Sequence, residues 1–146
     1  MLLCHGVLGT TGIETLEIVK GIVDNVNPKL IIAIDSLCSK NINRIGKSIQ
    51  ISDTGIIPGG GVGNRQEELS IETLGVPVIG VGIPTVLDAA TIVVDTLNAC
   101  QLKIEENDLV NRMKLNKFNF VVTPKEIDSL IETVSQIVSE GINRSF

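Results

Sequence analysis

The segment that decides the fold is LIIAID, residues 30–35, an uninterrupted apolar run that ends in an acid. Runs that are apolar on both faces are typical of strands buried in a parallel sheet. PVIGVGI at residues 77–83 has the same character, and SIQIS at residues 48–52 is a further strand candidate. Apolar residues recur at helical spacing over 13–26, 86–97 and 127–142. This alternation predicts an α/β fold, a three-layer α/β/α sandwich with a mostly parallel sheet.

The length of 146 residues suits a single α/β domain, residues 1–146, which can bury a sizeable core. Residues 101–117 break the periodicity with mixed charge, so the sequence predicts a loop or a variable insertion there. The last helix is expected to begin at Pro124, because proline is favoured at the first helical position.

Composition excludes several classes of function. The net charge is −5, and the chain has no Trp and no Tyr, so we expect no direct binding of nucleic acid. Apolar runs stay well below 18 residues, which predicts no association with a membrane. Cys4, Cys38 and Cys100 form no C-x-x-C pair and indicate a reducing, cytoplasmic compartment without a cofactor or metal. A cysteine nucleophile activated by His5, the single histidine, is an alternative.

Three acids lie where ligands bind in open α/β sheets, beyond the carboxyl ends of the strands. Asp35 ends the first strand and is the candidate for proton transfer, or alternatively a cap for a following helix. Asp53 is a weaker candidate for substrate contact, because an aspartate before Thr-Gly also forms turns. Asp88 follows Thr85 by three residues, the spacing of a helix capping box with Thr85 as the N-cap.

The segment PGGGVGN, residues 58–64, is rich in glycine. It lacks the G-K-[ST] ending of a phosphate loop and the spacing of a dinucleotide fingerprint. Gly59, Gly61 and Gly63 are therefore weak candidates for contact between backbone and substrate, with a plain surface loop or an anion site as the alternatives.

Longer stretches of the chain resemble the spore germination protease family. They are GVLGTTGIET at 6–15, IAIDSL at 32–37, IQISDTGI at 49–56, PGGGVGN at 58–64 and VTPKEID at 122–128. The similarity covers nearly the whole chain and is weakest over residues 101–117.

The resemblance implies an endopeptidase, activated from a zymogen, that degrades small acid-soluble spore proteins in the spore core during germination. It implies a homo-oligomer and an α/β/α fold similar to that of the hydrogenase-maturation endopeptidases. It also implies two catalytic aspartates. Asp35 matches one of them, whereas the other belongs to an upstream T-P-D-A-L-G segment without a counterpart in residues 1–146.

The chain is therefore expected to be the C-terminal portion of a longer protease and to be inactive alone, because one carboxyl group cannot be both acid and base. Two further functions are open: a non-catalytic assembly or protein-binding fragment, and a metal-dependent maturation peptidase on the same fold. An anion or nucleotide binder that uses the loop Gly59–Gly63 is a third.

Overall fold

A computed structural model describes residues 13–60, 66–102, 105–116, 118 and 120–145. Within these ranges helices and strands alternate, and the α/β class predicted from the sequence is confirmed. The elements are α1 (Thr15–Val26), β1 (Ile31–Ser39), a 3-10 turn (Ile42–Arg44), β2 (Gln50–Ser52), α2 (Ile71–Leu74), β3 (Val78–Asp88), α3 (Ala89–Ala99), α4 (Glu106–Leu115), β4 (Val121–Val122) and α5 (Ile127–Ser145).

The sheet is built around β3, which has β1 and β2 as neighbours and also pairs with β4. β2 runs antiparallel to β3, with Gln50 opposite Gly82 and Ser52 opposite Gly80. β4 is also antiparallel to β3, with Leu87 opposite Val122. These two pairings make the sheet mixed rather than mostly parallel.

The chain divides into two compact units, Met1–Ser36 with Ile49–Ile83 and Leu37–Ser48 with Pro84–Phe146. That residues 1–146 form a single domain stays a prediction.

The first unit has a core of aliphatic side chains. α1 ends where the sequence predicts, since Asn27 adopts a left-handed conformation with φ 46° directly before Pro28. Its helical stripe is buried in part, because Val26 at the C-terminal end stays half exposed. The buried cluster contains Leu16, Val23, Leu69, Leu74 and Val78.

Two glycines of the first unit let backbones approach each other. A Cβ atom on Gly80 of β3 would lie 2.7 Å from the carbonyl oxygen of Gly55. Gly55 has φ +104°, and a Cβ atom there would collide with the carbonyl oxygen of Leu69. The loop after β2 therefore lies against β3 with no side chain between them.

In the second unit two helix starts and one predicted loop differ from the expectations. Asp88 itself is the N-cap of α3, and its Oδ1 accepts the N–H of Ala90 at 2.8 Å, whereas Thr85 lies in β3. Asp88 thus caps a helix as expected, but from a different position. α5 begins at Ile127, three residues after Pro124. Residues 101–117, predicted to be a loop or insertion, contain the helix α4.

None of the described helices combines the length and the apolar character needed to cross a bilayer.

The Gly55→Ala variant tests the close approach of the loop. We expect it to lower the free energy of unfolding by about 2 kcal/mol, because alanine would be strained at this φ and would collide with Leu69. Gly21→Ala is the matched control, since Gly21 lies inside α1 with open space around it. That variant should gain about 0.5–1 kcal/mol. Urea unfolding of both measures the difference, and equal stabilities would contradict the packing.

Candidate active site

Asp35 lies in the first unit, inside β1 rather than at its end. The strand continues through Ser39, which corrects the strand end expected at Asp35. Asp35 does not cap a following helix either, because the next helical turn starts after Asn41, whose side chain accepts the N–H of Asn43. The carboxyl group is half-buried and faces a cavity.

A backbone group holds the Asp35 carboxylate in place. The N–H of Gly59 donates to Oδ2 of Asp35 at 2.8 Å. Gly59 has φ +64°, a left-handed conformation that favours glycine. A backbone N–H bond of this kind fixes the rotamer of the carboxyl group.

The loop that carries Gly59 is tied to the core by two backbone hydrogen bonds. The N–H of Ile56 donates to the carbonyl of Leu69 at 3.1 Å, and the N–H of Leu69 donates back at 2.8 Å. A turn follows, in which the N–H of Gly60 donates to the carbonyl of Ile57 at 3.2 Å. Because Leu69 belongs to the buried cluster, the position of Gly59 depends on the core of the first unit.

The cavity beside Asp35 has a volume of about 600 Å³ and aliphatic walls. Among its described lining residues, Asp35 has the only ionisable side chain, and Thr15 and Gln66 add the other polar side chains. The aliphatic lining residues are Val19, Ile22, Val23, Val26, Leu30, Ile31, Ile32, Ala33, Ile34, Ile56 and Leu69. An apolar cavity with a few polar groups is the usual form of a small-molecule or peptide-side-chain site.

The start of α1 is joined to the segment 66–67. The hydroxyl of Thr15 donates to Oε1 of Gln66 at 3.1 Å. The N–H of Glu67 donates to Oε1 of Glu14 at 2.7 Å. No sequence signal marks Gln66, because a single glutamine after a glycine-rich segment matches no known spacing.

The structure brings together only part of the predicted set. Gly59 contacts Asp35, whereas its contact with substrate stays a prediction. Asp53 is exposed in the bend after β2 and is not among the residues lining the cavity. Gly61 and Gly63 lie outside the described residues.

The donor set in the described part of the chain does not favour metal binding. No group of three or more His, Cys, Asp or Glu side chains converges there. His5 and Cys4 lie outside the described residues.

Cys38 is poorly suited to act as a nucleophile, because the thiolate is the reactive form. Burial raises the pKa of the Cys38 thiol, and the carboxylate of Asp88 raises it further. A backbone hydrogen bond from Asp88 and the charge of Lys40 act in the opposite direction with smaller effect. The thiol is therefore protonated at neutral pH.

Asp88→Asn should lower the pKa of Cys38, because it removes a negative charge near the thiol while keeping a side-chain oxygen that can cap α3. The rate of alkylation by iodoacetamide at pH 8 is then expected to rise, and its pH midpoint to fall. The measurement uses a background with Cys4→Ser and Cys100→Ser. Asp95→Asn, the same change at an exposed position of α3, is the control and should leave both unchanged. An unchanged midpoint in Asp88→Asn would contradict the assigned cause.

Comparison with known proteins decides the family. The family model described as "Germination protease" matches residues 2–114, well over half of the chain. The chain belongs to the germination protease family. Asp35, Gly59 and Gln66 all lie within the matched range.

Curated members of the germination protease family are similar along most of this chain. The "Germination protease" of Caldanaerobacter subterraneus subsp. tengcongensis is 47% identical over 159 residues, which cover 94% of this chain and 49% of the relative. The protein of the same name from Clostridium tetani is 43% identical with the same coverage. That of Bacillus cereus is 36% identical over 190 residues, covering 94% of this chain and 52% of the relative. The chain thus spans about half the length of the curated relatives it matches.

Proposed function

We propose that this chain contributes to the active site of an endopeptidase that hydrolyses small acid-soluble spore proteins during germination. Asp35 is one of the two catalytic carboxyl groups of that site. The observation that carries the proposal is the Asp35 carboxylate, held by the N–H of Gly59 against an aliphatic cavity in which the described lining offers no other ionisable group. Membership of the germination protease family supports the reaction class.

The chemistry assigned to Asp35 is that of a general base. The hydrogen bond from Gly59 orients the carboxyl group, and the carboxylate takes a proton from a water molecule as that water attacks the scissile carbonyl carbon. The π electrons of the carbonyl group move to its oxygen, which becomes an oxyanion, while the new C–O bond forms. The C=O bond then re-forms as the C–N bond breaks, and the departing amine takes a proton from an acid.

A second carboxyl group is required as that acid. Two carboxyl groups that share a site divide their roles, one protonated and the other ionised. Among the described lining residues only Asp35 is available, so the proposal places the second group elsewhere. The family resemblance places it in the upstream T-P-D-A-L-G segment. The chain alone is then inactive, and activation from a zymogen would bring the two groups together.

We extend the proposal to assembly and location. A homo-oligomer in the cytoplasm of the spore core is the form implied by the family resemblance. Ile131 and Ile137 on α5 are about half exposed, and apolar groups of this kind are common where a surface meets another protein.

Asp35→Asn is the direct test of the mechanism. It is made in a chimera in which this chain replaces the matching half of the Caldanaerobacter relative. The turnover number for a small acid-soluble spore protein should fall roughly 10²–10⁴-fold, because the amide cannot take a proton from water. Gel or mass-spectrometric detection of the products measures the rate.

Asp53→Asn is the matched control, since the same change is made at an exposed bend outside the cavity. It should leave the rate unchanged, and a comparable loss there would assign Asp53 to the substrate. A native rate in the Asp35→Asn chimera would refute the proposed base. The chain without the chimeric half is expected to give no detectable cleavage.

Chelation separates this mechanism from a metal-dependent peptidase. EDTA at millimolar concentration is expected to leave the rate of the chimera unchanged, because both proposed catalytic groups are carboxyl groups and no step of the proposed mechanism uses a metal ion. A loss of activity that nickel or zinc restores would instead favour the metal-dependent alternative.

A further inference from the structure

Two polar side chains of the cavity have no part in the mechanism described above. Thr15 and Gln66 lie among aliphatic lining residues, and Thr15 is only 3% exposed. A buried hydroxyl needs a hydrogen-bond partner, and Thr15 finds it in Oε1 of Gln66 at 3.1 Å. This bond fixes the orientation of the Gln66 amide, since its oxygen faces Thr15.

The other end of the amide lies near Gly59, the loop residue that is hydrogen-bonded to Asp35. A Cβ atom built on Gly59 would be 3.6 Å from Nε2 of Gln66. Gly59 in turn donates its N–H to Asp35 at 2.8 Å. A glutamine amide has two N–H groups to donate, and Gln66 lines the same cavity as Asp35. An amide donor and the Asp35 carboxyl group thus line one aliphatic cavity.

Such a donor matches a specific requirement of peptide hydrolysis. When water attacks the scissile carbon, the carbonyl oxygen becomes an oxyanion that can accept more than one hydrogen bond. A fixed side-chain amide near that oxygen stabilises the developing charge, and the effect is larger where water is excluded.

We propose that Gln66 is a substrate-binding donor whose Nε2 contacts the scissile carbonyl oxygen, and that Thr15 is its positioning residue. The inference rests on the proposed function, because it requires a peptide bond beside Asp35. It assigns a donor to the carbonyl oxygen, whereas the second carboxyl group protonates the departing amine.

A binding experiment on the chain itself tests the contact without cleavage. Two peptides are used, each with the sequence around the bond that the Caldanaerobacter relative cuts in a small acid-soluble spore protein. In the first peptide a ketomethylene group replaces the scissile amide and keeps the carbonyl oxygen. In the second peptide two methylene groups replace the scissile amide, so the carbonyl oxygen is absent. We expect the chain to bind the ketone about 10-fold more tightly, a typical value for one hydrogen bond in a desolvated site.

Gln66→Met keeps the length of the side chain and removes the donor, so the two peptides should then bind equally. Thr15→Val should reduce the preference for the ketone, because the amide is no longer oriented. In the Gln66→Met background, Thr15→Val should not change the preference any further. A purely structural role of Thr15 would not make its effect depend on Gln66 in this way. Gln136→Met, at an exposed position of α5, is the matched control.

Kinetics of the chimera give a second measurement. Gln66→Met is expected to lower kcat roughly 10²–10³-fold with little change in KM, as for the loss of one oxyanion donor. Thermal unfolding of the same variants shows whether they fold.

The outcomes separate this inference from the proposed function. If Asp35→Asn abolishes cleavage while Gln66→Met leaves both kcat and the ketone preference intact, the role of Gln66 is refuted and the proposed function stands. If the Asp35→Asn chimera cleaves at the native rate, the proposed mechanism fails, whereas the ketone preference still decides the contact made by Gln66. Equal binding of the two peptides by the unaltered chain, or binding of neither, overturns the inference.

Discussion

The hydrogen bond from the N–H of Gly59 to Oδ2 of Asp35 is the interaction on which the site depends. It joins a strand to a loop that are 24 positions apart in sequence, and it does so with a backbone group whose place is set by the core. Gly59 has a left-handed conformation, with φ +64°, at this contact. Without this bond, Asp35 would be an ordinary half-buried acid with a free rotamer.

The cavity gives that carboxylate its chemical setting. Its walls of valine, isoleucine and leucine leave few polar atoms to compete for a ligand. The same side chains belong to the elements that form the buried cluster, so the stability of the first unit and the shape of the cavity have one source. The polar groups present are each held by a partner, Asp35 by Gly59 and Gln66 by Thr15.

Much of the fold could be predicted because apolar runs and helical spacing report burial directly. The strand around residues 30–35, the strand at 50–52 and the stop of α1 before Pro28 were all predicted. The end of β1 at Ser39 was not predicted, because Asp35 interrupts the apolar run without ending the strand. α4 was missed because mixed charge and weak amphipathicity hide a surface helix.

The site was predictable only where chemistry and chain position coincide. Asp35 stood out as an acid after an apolar run, and the glycine-rich segment as a place of close backbone approach. Gln66 could not be found in this way, because its importance comes from a contact with Thr15, 51 positions away. Asp88 shows a related limit: the capping pattern marked the right residue, yet only the structure shows that it caps α3 directly.

The contact between Gly80 and Gly55 has a mechanical consequence. Side chains at most loop–strand contacts can change rotamer and absorb a small displacement, but here carbonyl oxygen and α-carbon lie against each other with nothing compliant between them. The loop is stiffly coupled to β3, and through the pairing of Gly80 with Ser52 to β2. A displacement of either strand would therefore be transmitted to the loop whose backbone holds the Asp35 carboxyl group.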